Sequence, residues 1–224
     1  MKKIDYKTKY REQLKQNLEN FNIKDKKTLK KIKKFCEKFN FIQEEVETSI
    51  KHNNFLKAWF ILEPLKQNFY EKVFGEFLKN DINGIFEVYK PKNIFIKKQE
   101  IVQKKEINQY ISSKGKSIDF SFKYKDLEII FYVFHKYTKE SGGSQDNQKN
   151  DVKISIEESK TDTQKYNKNI MVLFICDGDY YDKNKIQELK KVTTQQNLKV
   201  LSSNELQFFL DQFYLQIKNK NFLN

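Results

Sequence analysis

The stretch SIDFSFKYKDLEIIFYVFHKYTKESGGSQDNQ, residues 117–148, decides the architecture of this chain. Ser117–Tyr124 alternates strictly: Ile118, Phe120, Phe122 and Tyr124 on one face, Ser117, Asp119, Ser121 and Lys123 on the other. That period of two marks a strand with one buried face. Lys125-Asp126 turns the chain, and Glu128–Tyr137 follows as a second strand. Its centre is apolar on both faces, which places it inside a sheet. Gly142-Gly143 then breaks the pattern, and Gln145–Ser159 takes a helical period with Val152, Ile156 and Ser159 inward.

Downstream, Ile170–Cys176 is a continuous apolar run of the parallel, buried kind. A helix over 183–195, a short strand over 199–202 and a closing helix over 204–218 complete this half. Upstream, Ile85–Tyr89 and Ile94–Lys98, split by Lys90-Pro91-Lys92, read as a hairpin. A helix opens at Glu63-Pro64 and runs to about Lys79, with Leu65, Phe69, Val73 and Phe77 as its main apolar stripe. Gln67, Glu71, Phe74 and Leu78 form a neighbouring stripe, so Glu71 sits among apolar residues and needs a partner, a proton or a metal. Helices are expected over 5–20, 26–39 and 41–52. The fold class is α/β: a mixed central sheet flanked by helices, with an N-terminal helical region. Residues 1–54 are expected to form the basic helical region and residues 55–224 the core.

Composition narrows the function. The chain has 224 residues, is 38% hydrophobic and 33% charged, and has a mean hydropathy of −0.81. Its aromatic content of 15%, with 20 Phe and 12 Tyr, argues for a core built on rings and against disorder. No apolar run approaches a membrane span, and MKKIDYKTKY has no apolar signal core, so a cytoplasmic protein with no membrane partner is expected. Two distant cysteines, Cys36 and Cys176, fit reduced thiols in such a compartment.

Lys and Arg total 43 against 30 Asp and Glu, a net charge of +13, and Arg11 is the sole arginine. Residues 1–118 carry 27 basic and 15 acidic side chains, residues 119–224 carry 16 and 15. This asymmetry is the footprint of a polyanion binder, nucleic acid first. The helix over 26–39 holds its densest patch, including Lys30, Lys31, Lys33 and Lys34, as candidate phosphate contacts.

Three clusters offer chemistry. Asp119 on one strand and Lys136 on the next, with Glu71 on the preceding helix, suit metal-assisted phosphodiester hydrolysis: carboxylates hold Mg²⁺ and an ammonium faces the attacking water or the phosphate. Gly142, Gly143, Ser144, Gln145, Asn147 and Gln148 suit DNA contact, the glycines through close backbone approach and the amides through base edges or sugar–phosphate. Asp177, Asp179 and Asp182 follow the buried strand, where open α/β sheets place ligands, though an Asp-Gly turn there is ordinarily structural.

Taken together, EPLKQNFYE (63–71), KSIDF (116–120), HKYTKESGGSQDNQKNDV (135–152) and FICDGDYY (174–181) resemble the Type II restriction endonucleases, in particular a group that cuts short palindromes such as GANTC. The likeness covers roughly residues 55 to 210 and leaves out the basic N-terminal helices. It implies a PD-(D/E)XK nuclease core with Mg²⁺-dependent hydrolysis of double-stranded DNA. Asp119 would be the metal-binding acid, with Ile118 in place of the motif's proline, and Lys136 the motif lysine. The motif's second acid should stand at position 134, which is Phe134. Glu71 is the preferred substitute as catalytic residue and metal ligand, with Asp151 and Glu140 as lesser candidates. A homodimer would match a palindromic site, and a cognate DNA methyltransferase is expected in the host. Two other readings stand beside this one: a catalytically impaired DNA-binding protein on the same core, and a phosphohydrolase or transferase centred on Asp177 and Asp179.

Overall fold

A computed structural model describes residues 3–63, 66–104, 106, 116–139, 143–161 and 167–221; the side chains at 66, 67, 143–146, 220 and 221 are outside that description. The described residues form two compact units. One is Asp5–Tyr70, and the other runs from Glu71 onward and includes Lys3 and Ile4. The expected boundary after residue 54 falls inside the first of these.

In the first unit, helix α1 (Tyr6–Glu19) begins where the Asp5 carboxylate accepts the Thr8 N–H at 3.0 Å. Helix α2 (Lys26–Phe39) begins on Asp25, which accepts from Lys27 and Thr28 N–H, and it stops at Asn40 in the left-handed region. Helices α3 (Gln43–His52) and α4 (Asn54–Phe60) follow. Ile32, Cys36, Ile50 and Phe60 form the core, and Phe35 packs against it.

Helix α5 (Lys66–Asn80) crosses from the first unit into the second. The second unit is built on a five-stranded mixed sheet in the order β1-β4-β5-β6-β7. Its strands are β1 (Ile85–Tyr89), β4 (Phe120–Tyr124), β5 (Ile130–Tyr137), β6 (Ile170–Asp177) and β7 (Leu198–Leu201). The β1/β4 and β4/β5 pairs are antiparallel, and β5/β6 and β6/β7 are parallel. Helices α6 (Gly143–Ser159), α7 (Lys183–Val192) and α8 (Ser203–Asn221) complete it. On one face, Phe74 of α5 meets Phe120 and His135, and Phe213 of α8 meets Phe131. On the other, Val152 and Ile156 of α6 and Ile186 and Leu189 of α7 share a core with Tyr132, Phe134, Val172 and Phe174. With both faces covered, every residue of β6 is buried, which is why that strand reads as an unbroken apolar run. Gly75 lets α5 come close to the sheet, since a Cβ there would lie 2.8 Å from the Phe120 ring.

Two expectations are corrected. The hairpin joining Ile85–Tyr89 to Ile94–Lys98 does not form. β1 joins the main sheet, while β2 (Ile94–Lys97) pairs with β3 (Glu100–Gln103) as a separate ribbon. The turn between them is Lys98-Gln99, both at positive φ (48° and 62°). Such a turn normally calls for Asn or Gly. Here its backbone N–H groups donate to Glu158 and Ser159 carbonyls at 2.8 and 3.1 Å. The buried Gln99 amide also exchanges bonds with Asn197 at 3.0 and 2.8 Å, so tertiary bonds offset the backbone strain. Second, Ile118 does not share the Phe120 face: it packs with Phe134 and Ile96 on the α6 side, because regular strand begins only at Phe120.

Candidate nuclease site

Asp119 lies at that change of face. Its N–H donates to the Val133 carbonyl at 2.9 Å, and its Oδ2 accepts the His135 N–H at 2.8 Å. Both anchors are on β5, so the side chain is held over the strand that carries Lys136. Burial pushes the Asp119 carboxyl up to about 6. The His135 N–H opposes the shift, the nearby Glu71 carboxylate adds to it, and Lys90 opposes it.

Glu71 comes from α5, one turn before Phe74. Its Oε2 takes the Lys90 ammonium at 2.7 Å, so the carboxylate on the apolar stripe has an ionic partner. Lys90 in turn lies over the Phe120 ring, 5.8 Å from its centroid.

Lys136 leaves β5 on the opposite face from His135, with Tyr132 and Phe134. Burial holds its ammonium below the ordinary lysine range. The neighbouring Lys116 ammonium adds to this, and the carboxylates of Asp151 and Asp119 oppose it. Lys116 pairs with Asp151 of α6 at 2.6 Å. The Asp119 carboxylate thus interacts electrostatically with both Glu71 and Lys136. Glu71's own ion pair is with Lys90, whereas Asp151 and Lys116 stand with Lys136.

Phe134, at the position of the motif's second acid, is buried and stacks on Phe174 with ring centroids 5.0 Å apart. Of the expected DNA-contacting segment, Gly143, Ser144 and Gln145 open α6. Asn147 is exposed, while Gln148 accepts the Thr138 hydroxyl at 2.9 Å. Gly142 and Glu140 lie outside the described residues. Lys30, Lys31, Lys33 and Lys34 are all exposed on α2. Lys31 donates to the Trp59 and Ile61 carbonyls at 2.7 and 3.1 Å, closing the end of α4, and Lys33 lies 3.9 Å from Glu37.

The third acidic cluster is dispersed into structural tasks. Asp177 is buried, its Oδ1 accepts the Ser203 N–H at 2.9 Å, and its Oδ2 lies 3.4 Å from His135 Nε2. Asp182 caps α7, and Asp179 is exposed. Gly178 has φ +99°, and a Cβ there would lie 2.1 Å from the Thr138 carbonyl oxygen. The Asp-Gly turn is a close crossing of two strand ends, as its sequence suggests.

Among the described residues, no group of three or more His, Cys, Asp and Glu side chains stands where it could hold a metal ion. Mg²⁺ asks less, since it takes one or two carboxylates and fills its shell with water and substrate phosphate. Asp119 meets that demand: it is a carboxylate in a low-dielectric place beside a second carboxylate, where added positive charge is favourable. Lys116 and Lys90 were not foreseeable as members, since only the fold brings them to Asp151 and Glu71. Among the described residues, no helix is long and apolar enough to cross a membrane. No family model, curated protein or solved structure matches this chain.

Proposed function

We propose that this chain is a Mg²⁺-dependent, sequence-specific endonuclease that hydrolyses phosphodiester bonds of double-stranded DNA on a restriction-endonuclease-like core, acting as a homodimer. The observation that carries the reading is the anchoring of Asp119 to β5. It sets an acid whose charge is under-compensated beside the Lys136 ammonium of the same strand. Asp119 would hold the metal with Glu71 or Asp151. Mg²⁺ would supply charge neutralisation of the phosphate and a more acidic bound water. Lys136, whose ammonium is favoured by the carboxylates of Asp151 and Asp119, would face the phosphate or the attacking water. The exposed lysines of α2 would add contacts to backbone phosphates.

A second reading is favoured by one observation. Phe134 is a core residue stacked on Phe174, so the strand supplies no second acid, and the same unit then binds DNA without cutting it. One experiment addresses both. Cleavage of mixed-sequence DNA is assayed in Mg²⁺, with binding measured in Ca²⁺, for the parent chain and for Asp119→Ala, Lys136→Ala, Glu71→Gln and Asp151→Asn. Loss of cleavage with retained binding in the first two supports the nuclease, and whichever of the last two also loses cleavage is the second acid. Binding with no cleavage by the parent supports the impaired form. Cleavage undiminished in Asp119→Ala removes this site from the reaction.

A further inference from the structure

We propose that the open end of the β2/β3 ribbon is a subsite for a backbone phosphate of nucleic acid, held by the Lys92 and Lys104 ammoniums with the Asn93 and Gln103 amides beside them. Lys92, Asn93, Ile94, Gln103 and Lys104 line one concavity of about 540 Å³, at the end of the ribbon away from the Lys98-Gln99 turn. That is the size of a small-ligand site. The Lys104 N–H donates to the Asn93 carbonyl at 3.0 Å and closes the ladder one step past the Ile94–Gln103 pair. Asn93 takes a φ of 58°, in the left-handed region that asparagine tolerates. Ile94 is half-buried against the core and the other four lining residues are exposed, so the concavity combines an apolar base with two cations and two amides.

Its positive charge is uncompensated. Lys90 pairs with Glu71 and Lys97 with Glu158, whereas among the described residues no carboxylate pairs with Lys92 or Lys104. The Glu106 carboxylate is committed elsewhere: it accepts the Gln103 N–H at 2.8 Å, on the β3 edge turned away from β2. A cleft lined by one sign of charge draws the opposite sign. Ammonium and amide donors together suit an anion with several acceptor oxygens, and a phosphodiester is one. Ile94 also accepts the Ile118 N–H at 2.8 Å, and the next residue is Asp119. A strand whose scissile phosphate lay at Asp119 would carry its adjoining phosphates past this end of the ribbon. Nucleic acid as the source of the anion rests on the proposed function, whereas anion binding rests on the concavity and its lysines alone.

The test uses the full chain in EDTA, so that neither metal nor cleavage enters. Binding of a short mixed-sequence duplex is followed by fluorescence anisotropy across a salt series. Lys92→Gln and Lys104→Gln are each expected to weaken binding about fivefold, the order of one exposed charge-assisted contact. The double variant should flatten the slope of log K against log salt by about 1.8, at about 0.9 per contact. Replacing both lysines by Arg keeps the charges and is expected to keep affinity and slope. Lys191→Gln removes an exposed charge on α7 and is expected to leave both unchanged. Inorganic phosphate, exchanged for chloride at constant ionic strength, is expected to leave duplex binding unchanged. Phosphate that weakens binding by the parent and not by the double Gln variant would assign the concavity to a free anion and overturn the nucleic-acid subsite. An unchanged slope in the double Gln variant, or an equal loss in Lys191→Gln, overturns the subsite and leaves the nuclease reading standing as long as the parent binds the duplex. A parent chain that binds no duplex overturns both.

Discussion

Asp119→Asn should make the protein more stable at alkaline pH and inactive as a nuclease. In the folded chain the Asp119 carboxyl is pushed up to about 6 from 3.8, chiefly by burial. The folded state therefore holds this proton more tightly than the unfolded state. Well below pH 3.8 the group is protonated in both states and costs nothing. As pH rises towards 6, the unfolded chain releases its proton first, and stability falls. Above pH 6 the full cost of keeping an ionised carboxylate in this place is present. About two units at ~1.4 kcal/mol each set it at up to ~3 kcal/mol. Asparagine keeps an oxygen to accept the His135 N–H and removes the charge. For a chain of this size, ~3 kcal/mol corresponds to at least ~5 °C in Tm. Thermal melts followed by circular dichroism from pH 4 to 8 are the assay. Asp119→Asn should melt higher than the parent at pH 8, by an amount that falls to a small fraction of that near pH 4. Added Mg²⁺ should raise the parent's Tm at pH 8 and leave that of Asp119→Asn unchanged. A variant less stable by the same amount at every pH would refute the reasoning, because the His135 bond and not the buried charge would then dominate.

Three further outcomes follow from the same geometry. Gly178→Ala puts a Cβ 2.1 Å from the Thr138 carbonyl oxygen at a φ of +99°, and should lower stability by ~3 kcal/mol or more in denaturant titrations. Phe134→Glu restores the motif's acid in sequence. It also removes the ring stacked on Phe174 and buries a charge, so it should cost ~3–5 kcal/mol and yield no gain in cleavage; a stable, more active variant would argue against a core role for Phe134. Changing Lys30, Lys31, Lys33 and Lys34 together to Gln should flatten the salt slope of DNA binding by about 2–3 and not by the full ~0.9 per lysine. The reason is that Lys31 is engaged with the Trp59 and Ile61 carbonyls and Lys33 faces Glu37.

The parts of the fold that were legible are those where one period runs undisturbed. Phe120–Tyr124, Ile130–Tyr137 and Ile170–Asp177 form strands because alternation or an unbroken apolar run matches a sheet covered on one or both faces. α2 and α7 begin where Asp25 and Asp182 supply an acceptor to the first turn. The failures fall where a distant segment overrides local preference. Nothing in Lys98-Gln99 signals a tight turn, since neither residue favours positive φ. The turn exists because Glu158, Ser159 and Asn197 meet its donors and its side chain. Lys90-Pro91-Lys92 looked like the turn of a hairpin, but β1 has a longer partner in β4, and β2 closes on the strand after it.

The candidate site shows the same division. Asp119 and Lys136 could be named from adjacent strands because antiparallel pairing of consecutive strands brings their ends together. Glu71 could be marked as needing a partner because it interrupts an apolar stripe, and Lys90 answers that need at 2.7 Å. The grouping of Lys116 and Asp151 with Lys136 could not be read, because it depends on which face α6 covers and on where Ile118 turns inward. That turn is what gives Asp119 its character. A residue kept in regular strand would place its carboxylate squarely on one face. Held by the Val133 carbonyl and the His135 N–H, Asp119 instead meets the Glu71 carboxylate supplied by α5 and the ammonium on the α6 side of β5. In the proposed nuclease, with Phe134 committed to packing against Phe174, a second acid would have to come from one of the two flanking helices, as Glu71 or Asp151.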